Sequence, residues 1–281
     1  MAGIVIWTDG SADGNWATAG NWSAGAGAAA PPGNGDTVII GMSNRAILGG
    51  TVATTGLTIR FLEGYGGTVG ADAPLIFSDT TTVLYYGGRG AYANFGGGTY
   101  ATTSIVVSGG QQVVLSSGTH TALTVSGGVV NIAAATVVTT LHNVAGDVTA
   151  GYNGTAFTTA NNAGTLKTSR SCTTLNAKRG TATQFNNGTS NFTSCTTANI
   201  SNGATYHKQS GGTDTTVNAD PGGIFTIAGN AGNSNSASTV TVTTLNEWAG
   251  SKIVDIIGGL TLTVTTRNKI GFSPSFSGFG G

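Results

Sequence analysis

Apolar and polar positions alternate along most of this chain in short runs closed by glycine, and one run recurs. It is an apolar residue, Thr-Thr, a small or apolar residue, usually Asn, and Gly a few positions on. It reads Val138-Thr139-Thr140-Leu141-His142, Phe157-Thr158-Thr159-Ala160-Asn161, Cys172-Thr173-Thr174-Leu175-Asn176 and Cys195-Thr196-Thr197-Ala198-Asn199. It returns with Asp in first place as Asp214-Thr215-Thr216-Val217-Asn218, then as Val242-Thr243-Thr244-Leu245-Asn246. Successive copies start 19, 15, 23, 19 and 28 residues apart. A drifting period of this size is what a stack of similar coils with unequal loops produces.

Side chains alternate across a strand, so the second, fourth and sixth positions are expected on one face: Thr173, Leu175 and Ala177, or Thr196, Ala198 and Ile200. Such a narrow apolar face is not buried by one strand alone. Stacked on neighbours about 4.8 Å away it is, and Thr then piles on Thr and Asn on Asn. The predicted fold is all-β, a single-stranded parallel β-helix (β-solenoid). At about 20 residues per coil, residues 51–265 make about ten or eleven coils, a rod near 50 Å long.

Composition narrows the picture further. With 47 glycines, abundant Thr and Ser, and 8% charged residues, the chain is poorly suited to helices. Its 39% hydrophobic content in regular phrases argues for a packed core over disorder. Eleven acids balance eleven bases, with no basic stripe for nucleic acid. A surface this poor in charge is expected to be covered by copies of itself, a trimer among the possible forms, or by a larger assembly.

Residues 1–50 differ from the rest and read as a capping and attachment segment. Trp7, Trp16 and Trp22 fall here, ahead of Pro31-Pro32-Gly33-Asn34-Gly35-Asp36-Thr37-Val38-Ile39-Ile40. A solenoid's first coil leaves strand edges and core side chains facing water, and bulky aromatics folded over it would close it. The order Trp, Asn21-Trp22-Ser23, Pro-x-x-Gly-Asp36-Thr37-Val38-Ile39-Ile40 over residues 7–40 resembles the N-terminal segment of bacterial secreted and autotransporter-type parallel β-helix proteins and of related phage structural proteins. The resemblance implies a right-handed β-helix downstream and no particular reaction. Met1 to Gly10 shows no basic stretch or apolar run of signal-peptide type, which points to the phage side. No stretch approaches the ~20 apolar residues of a membrane helix.

Between 63 and 100 the chain reads as an aromatic-rich insertion, with Tyr65, Phe77, Tyr85, Tyr86, Tyr92, Phe95 and Tyr100. It is a candidate contact surface, with packing over one side of the solenoid as the alternative. Residues 229–238 read as a loop, 253–264 as the last coil, and 266–281 as a Gly/Ser tail carrying Phe272, Phe276 and Phe279, which either dock or fray. The candidate interface residues are therefore Trp7, Trp16, Trp22, Tyr85, Tyr86, Tyr92, Phe272, Phe276 and Phe279.

No catalytic set assembles from the sequence. Glycoside hydrolysis needs two facing carboxylates, and the two glutamates, Glu63 and Glu247, lie far apart. Asp147, Asp214 and Asp220 could cluster, but corner positions suit them better. Lys178-Arg179 beside Asp147 is a thin candidate for lysis. His120, His142 and His207 lack metal-ligand spacing, so no metal or cofactor is expected. Cys172 and Cys195 occupy the same place in consecutive copies and are expected to stack, as thiols more readily than as a disulfide. The expectation is a non-enzymatic virion structural protein, a phage capsid decoration or tail-associated β-helix held to a major capsid or tail protein. The alternatives are a carbohydrate-binding adhesin or receptor-binding fibre on surface glycans, at an extracellular or cell-surface location, and behind it a polysaccharide-degrading enzyme.

Overall fold

The computed structural model describes residues 2–77, 82–97, 102–151, 154–185, 193–209, 211–228, 239–256 and 261–272. They form a parallel β-solenoid of about ten turns. Each full coil contributes one strand to each of two ladders. One ladder, the Thr-Thr ladder, runs from Ile4–Trp7 through Thr37–Ile40, Thr58–Phe61 and Val83–Tyr86 to Thr261–Ile270. The opposite ladder runs from Gly50–Val52 to Lys252–Ile256. The thirteen-residue strand Val113–Val125 belongs to both, turning the corner at Gly118. There φ is +95° and an added Cβ would lie 2.4 Å from the Gly97 Cα, so only glycine fits.

The six Thr-Thr rungs lie one over another. Thr140, Thr159, Thr174, Thr197, Thr216 and Thr244 are successive Cα partners, and so are Leu141, Ala160, Leu175, Ala198, Val217 and Leu245. A seventh copy, Val264-Thr265-Thr266-Arg267-Asn268, continues the stack. It escapes the sequence pattern because Arg267 stands at the apolar position, where it pairs with Glu247 at 2.6 Å and is 44% exposed.

One expectation is corrected. Thr173 and Thr196 do not share the inward face with Leu175 and Ala198; both are exposed, while the residues before them, Cys172 and Cys195, are buried. The paired register passes from Cys172↔Cys195 directly to Thr174↔Thr197. The first Thr of each phrase is thus a bend at which two consecutive side chains face out and the alternation restarts. Bending every coil at the same place keeps the coils superimposable.

The N-terminal cap is as expected: aromatics cover the first coil. Trp22–Ala24 pairs antiparallel with Ile4–Trp7, the one strand among the described residues that departs from the parallel winding. Trp22 lies edge-on to Trp7 (4.8 Å) and Trp16 (4.7 Å), and its Nε1 donates to the Trp16 carbonyl at 2.7 Å. Asp36 ties the cap down, accepting from the Gly3 and Gly33 amides at 2.8 Å each.

Residues 63–100, read from the sequence as an insertion, instead carry ordinary rungs. Leu75–Phe77 pairs with Gly50–Val52 and Ala93–Gly97, and Val83–Tyr86 pairs with Thr58–Phe61 and Thr102–Val107. Phe61, Tyr65, Phe77, Tyr86 and Phe95 form a buried aromatic core with centroids 5.3 to 6.2 Å apart. Residues 229–238 lie outside the described residues.

Candidate functional site

Two places on the rod gather chemistry: an outward stripe and an interior polar centre. The stripe follows from register. Ile39, Arg60, Tyr85, Val106, Thr124, His142 and Asn161 are successive Cα partners in the Thr-Thr ladder, and Asn176, Asn199, Asn218, Asn246 and Asn268 continue the column. In its distal half each Asn donates Nδ2 to the Oδ1 of the Asn before it, at 2.7 to 2.9 Å from Asn176 to Asn268. His142 accepts the start of this chain, its Nδ1 lying 3.2 Å from the Asn161 amide nitrogen. Replacing Asn199 by Ala breaks two of these bonds at half-exposed positions, where water offers partial replacement. The expected cost is about 1 kcal/mol in urea unfolding, with faster amide exchange confined to Cys195–Ile200 and its two neighbours.

In its proximal half the stripe becomes a groove of about 530 Å³ lined by Arg60, Leu62, Glu63, Tyr85, Arg89 and Ser108. Arg60 holds its guanidinium 4.7 Å from the centre of the Tyr85 ring, and exposed Arg89 and Glu63 form an ion pair at the rim. Tyr85 is 37% exposed. An aromatic flanked by forked donors and a carboxylate is suited to polyhydroxylated ligands.

The interior centre lies where the core ceases to be apolar. Down the opposite ladder the inward column runs Leu115, Ile132, Ala150, Thr168, Gln184, Lys208, Ile227. Lys208 Nζ donates to Asp214 Oδ1 (2.9 Å), Gln184 Oε1 (2.8 Å) and the Thr193 carbonyl (2.6 Å), with Lys208 and Asp214 side chains at 0% exposure. The Tyr206 hydroxyl sits 2.6 Å from Gln184 Oε1 and 2.9 Å from Asp214 Oδ2, and the Cys195 amide donates to Asp214 Oδ1 at 2.8 Å. Burial, then the Asp214 charge, push the Tyr206 phenol well above its ordinary range, so it stays a donor. A second buried cation, Arg170, lies two coils away and is satisfied by carbonyls of Thr136 (2.7 Å), Ala133 (2.5 Å) and Gly151 (3.2 Å). Burial lowers its pKa to about 10.

The residues singled out from the sequence are placed as follows. Trp7, Trp16, Trp22 and Tyr86 are buried in the cap and the aromatic core, and so present no ring face to a partner. Tyr85 is exposed in the groove, Tyr92 is half-buried, and Phe272 is exposed with Lys269 Nζ 5.6 Å over its ring. Phe276, Phe279 and Tyr100 lie outside the described residues. The aspartates do not converge: Asp147 is exposed at the start of Asp147–Ala150, Asp220 lies in a turn where its backbone carbonyl accepts from the Gly223 amide, and Asp214 faces the core instead of a corner. Lys178 and Arg179 are exposed without closing on Asp147 in an ion pair among the described residues. Cys172 and Cys195 are stacked, buried and free. Among the described residues no group of three or more His, Cys, Asp or Glu side chains is placed to hold a metal ion. Gln184, Tyr206 and Lys208 carry no signal of their own in the sequence. The available signal is Asp214, an acid at the inward first position of the repeat, which demands a partner.

No family model, curated protein or solved structure matches the chain.

Proposed function

We propose that the protein is a structural β-solenoid of a virion, a phage capsid decoration or tail-associated rod that attaches to the particle and to copies of itself. The observation that supports this reading is the rung stack itself. Thr stacks on Thr, and the Asn ladder spends outward surface on hydrogen bonds within the stack, leaving a long, charge-poor, regular rod. Mass spectrometry of gradient-purified particles carrying the encoding genome is expected to find the chain at a fixed ratio to the major capsid or tail protein. Finding it abundant in the lysate and absent from the particles overturns the reading.

A second reading, a glycan-binding adhesin or receptor-binding fibre, draws support from the Arg60–Tyr85 groove. On a glycan array the wild-type protein then shows discrete positives, and Tyr85→Ala removes them at least tenfold without changing the far-ultraviolet circular dichroism. Retention of the signal in Tyr85→Ala removes the groove from consideration.

A further inference from the structure

We propose that Cys195 and Gln184 join inside the solenoid as an internal thioester. The side chains come from adjacent coils, Gln184 from Gly180–Phe185 and Cys195 from Cys195–Ile200, and are fully buried. Cys195 Sγ lies 3.2 Å from Gln184 Nε2. The carboxamide is held very unevenly. Its oxygen lies 2.6 Å from the Tyr206 hydroxyl and 2.8 Å from the Lys208 ammonium, whereas its nitrogen has a 3.3 Å bond to the Arg170 carbonyl and the sulfur. A nucleophile beside an acyl group whose oxygen faces a phenol and a cation in a fully buried site is an acyl-transfer arrangement: both groups strengthen their hold as negative charge grows on that oxygen.

The step balances without any co-reactant. The Cys195 sulfur attacks the Gln184 side-chain carbonyl carbon, the S–C bond forms, the C–N bond breaks, and the nitrogen leaves as ammonia carrying the thiol proton. The leaving nitrogen lies 3.2 Å from the sulfur, within reach of that proton. Lys208 is not the nucleophile, because its three donors already meet Asp214, Gln184 and Thr193, the saturated shell of an ammonium without a free lone pair. Asp214 holds it in place at 2.9 Å. Cys172, the Cα partner of Cys195, is held as a thiol, its titration pushed up first by its hydrogen bond to Cys195 and then by burial. The product is guarded from hydrolysis by the same burial, and it ties two neighbouring coils covalently.

The full chain tests this directly. Its intact mass, measured after unfolding in mild acid, is expected to fall short of the sequence mass by one ammonia. The unfolded protein should then offer one thiol to maleimide, and hydroxylamine should release the second. Gln184→Ala should carry no deficit and offer both thiols. A wild-type mass equal to the sequence with both thiols reactive overturns the proposal. So does a loss of two hydrogens with neither thiol reactive, which would be a Cys172–Cys195 disulfide, and so does a hydroxylamine-resistant ammonia loss with the Gln184 and Lys208 peptides joined. The wild-type protein alone yields all of these readouts, so the test decides the matter even where a variant fails to fold.

Discussion

Replacing Lys208 by Met destabilises the rod by about 3 to 5 kcal/mol, the cost of stranding one partner of a buried ion pair. Asp214 keeps its bonds from the Tyr206 hydroxyl and the Cys195 amide, but both are dipoles, and the carboxylate sits at 0% exposure without its counter-charge. The repeat itself indicates the remedy. Asp214 occupies a column whose next member is Val242, and Lys208 one whose next member is Ile227, so an apolar pair fits the local geometry. The double variant Lys208→Met/Asp214→Val is therefore expected within about 2 kcal/mol of wild type, because replacing both partners of a buried pair by apolar groups is often near neutral. Urea unfolding measures the totals. Since each coil is stabilised mainly by its neighbours, amide exchange should localise the single variant's loss to Cys195–Ile200, Ala204–Gln209 and Gly212–Ala219. A single variant within about 1 kcal/mol of wild type would mean that the pair contributes nothing net at this site.

Why the fold can be read from the sequence and the polar centre cannot is visible in particular residues. Thr159, Thr174, Thr197 and Thr216 stack because their coils are bent at one shared position, and such a shared bend writes a shared phrase into the chain. The opposite ladder has no such phrase. Its inward column changes from Ala150 to Thr168 to Gln184 to Lys208, so the register that brings Lys208 over Gln184 cannot be assigned before the coils are seen. The aromatics from Phe61 to Phe95 mislead for a related reason. They fill a wider stretch of core, where Phe61, Tyr86 and Phe95 interlock across coils without repeating in sequence, and a non-repeating run looks like an interruption. Strict alternation places Thr173 inward only if it is carried through the bend, where two residues in succession face water. Arg267 hides the seventh rung: on the last described strand, with no further rung paired beyond it, the inward position is open enough for a charge. Of the candidate interface, Tyr85 can be told from Tyr86 only once the strand's facing is known.

Acid should loosen the middle of the rod between pH 6.5 and 4, and His120 is the cause. Its side chain is 1% exposed, neither ring nitrogen reaches a hydrogen-bond partner, and burial drives its pKa from 6.5 down to about 4. Above pH 6.5 neither folded nor unfolded chain protonates this ring, and it imposes no pH dependence. Between pH 6.5 and 4 the unfolded chain takes up a proton that the folded one refuses, so stability falls as pH falls, by about 3 kcal/mol over the window, and then levels off. His120 pairs with Val138 in its column, which makes His120→Val the natural control. That variant also removes two buried nitrogens without partners and is expected to be about 1 to 3 kcal/mol more stable than wild type at pH 7. Urea midpoints taken every half unit from pH 7.5 to 4 should therefore diverge between the two proteins as the medium turns acidic. Parallel curves would mean that His120 is protonated in the folded rod, and that the polar groups around it are arranged differently from those seen here.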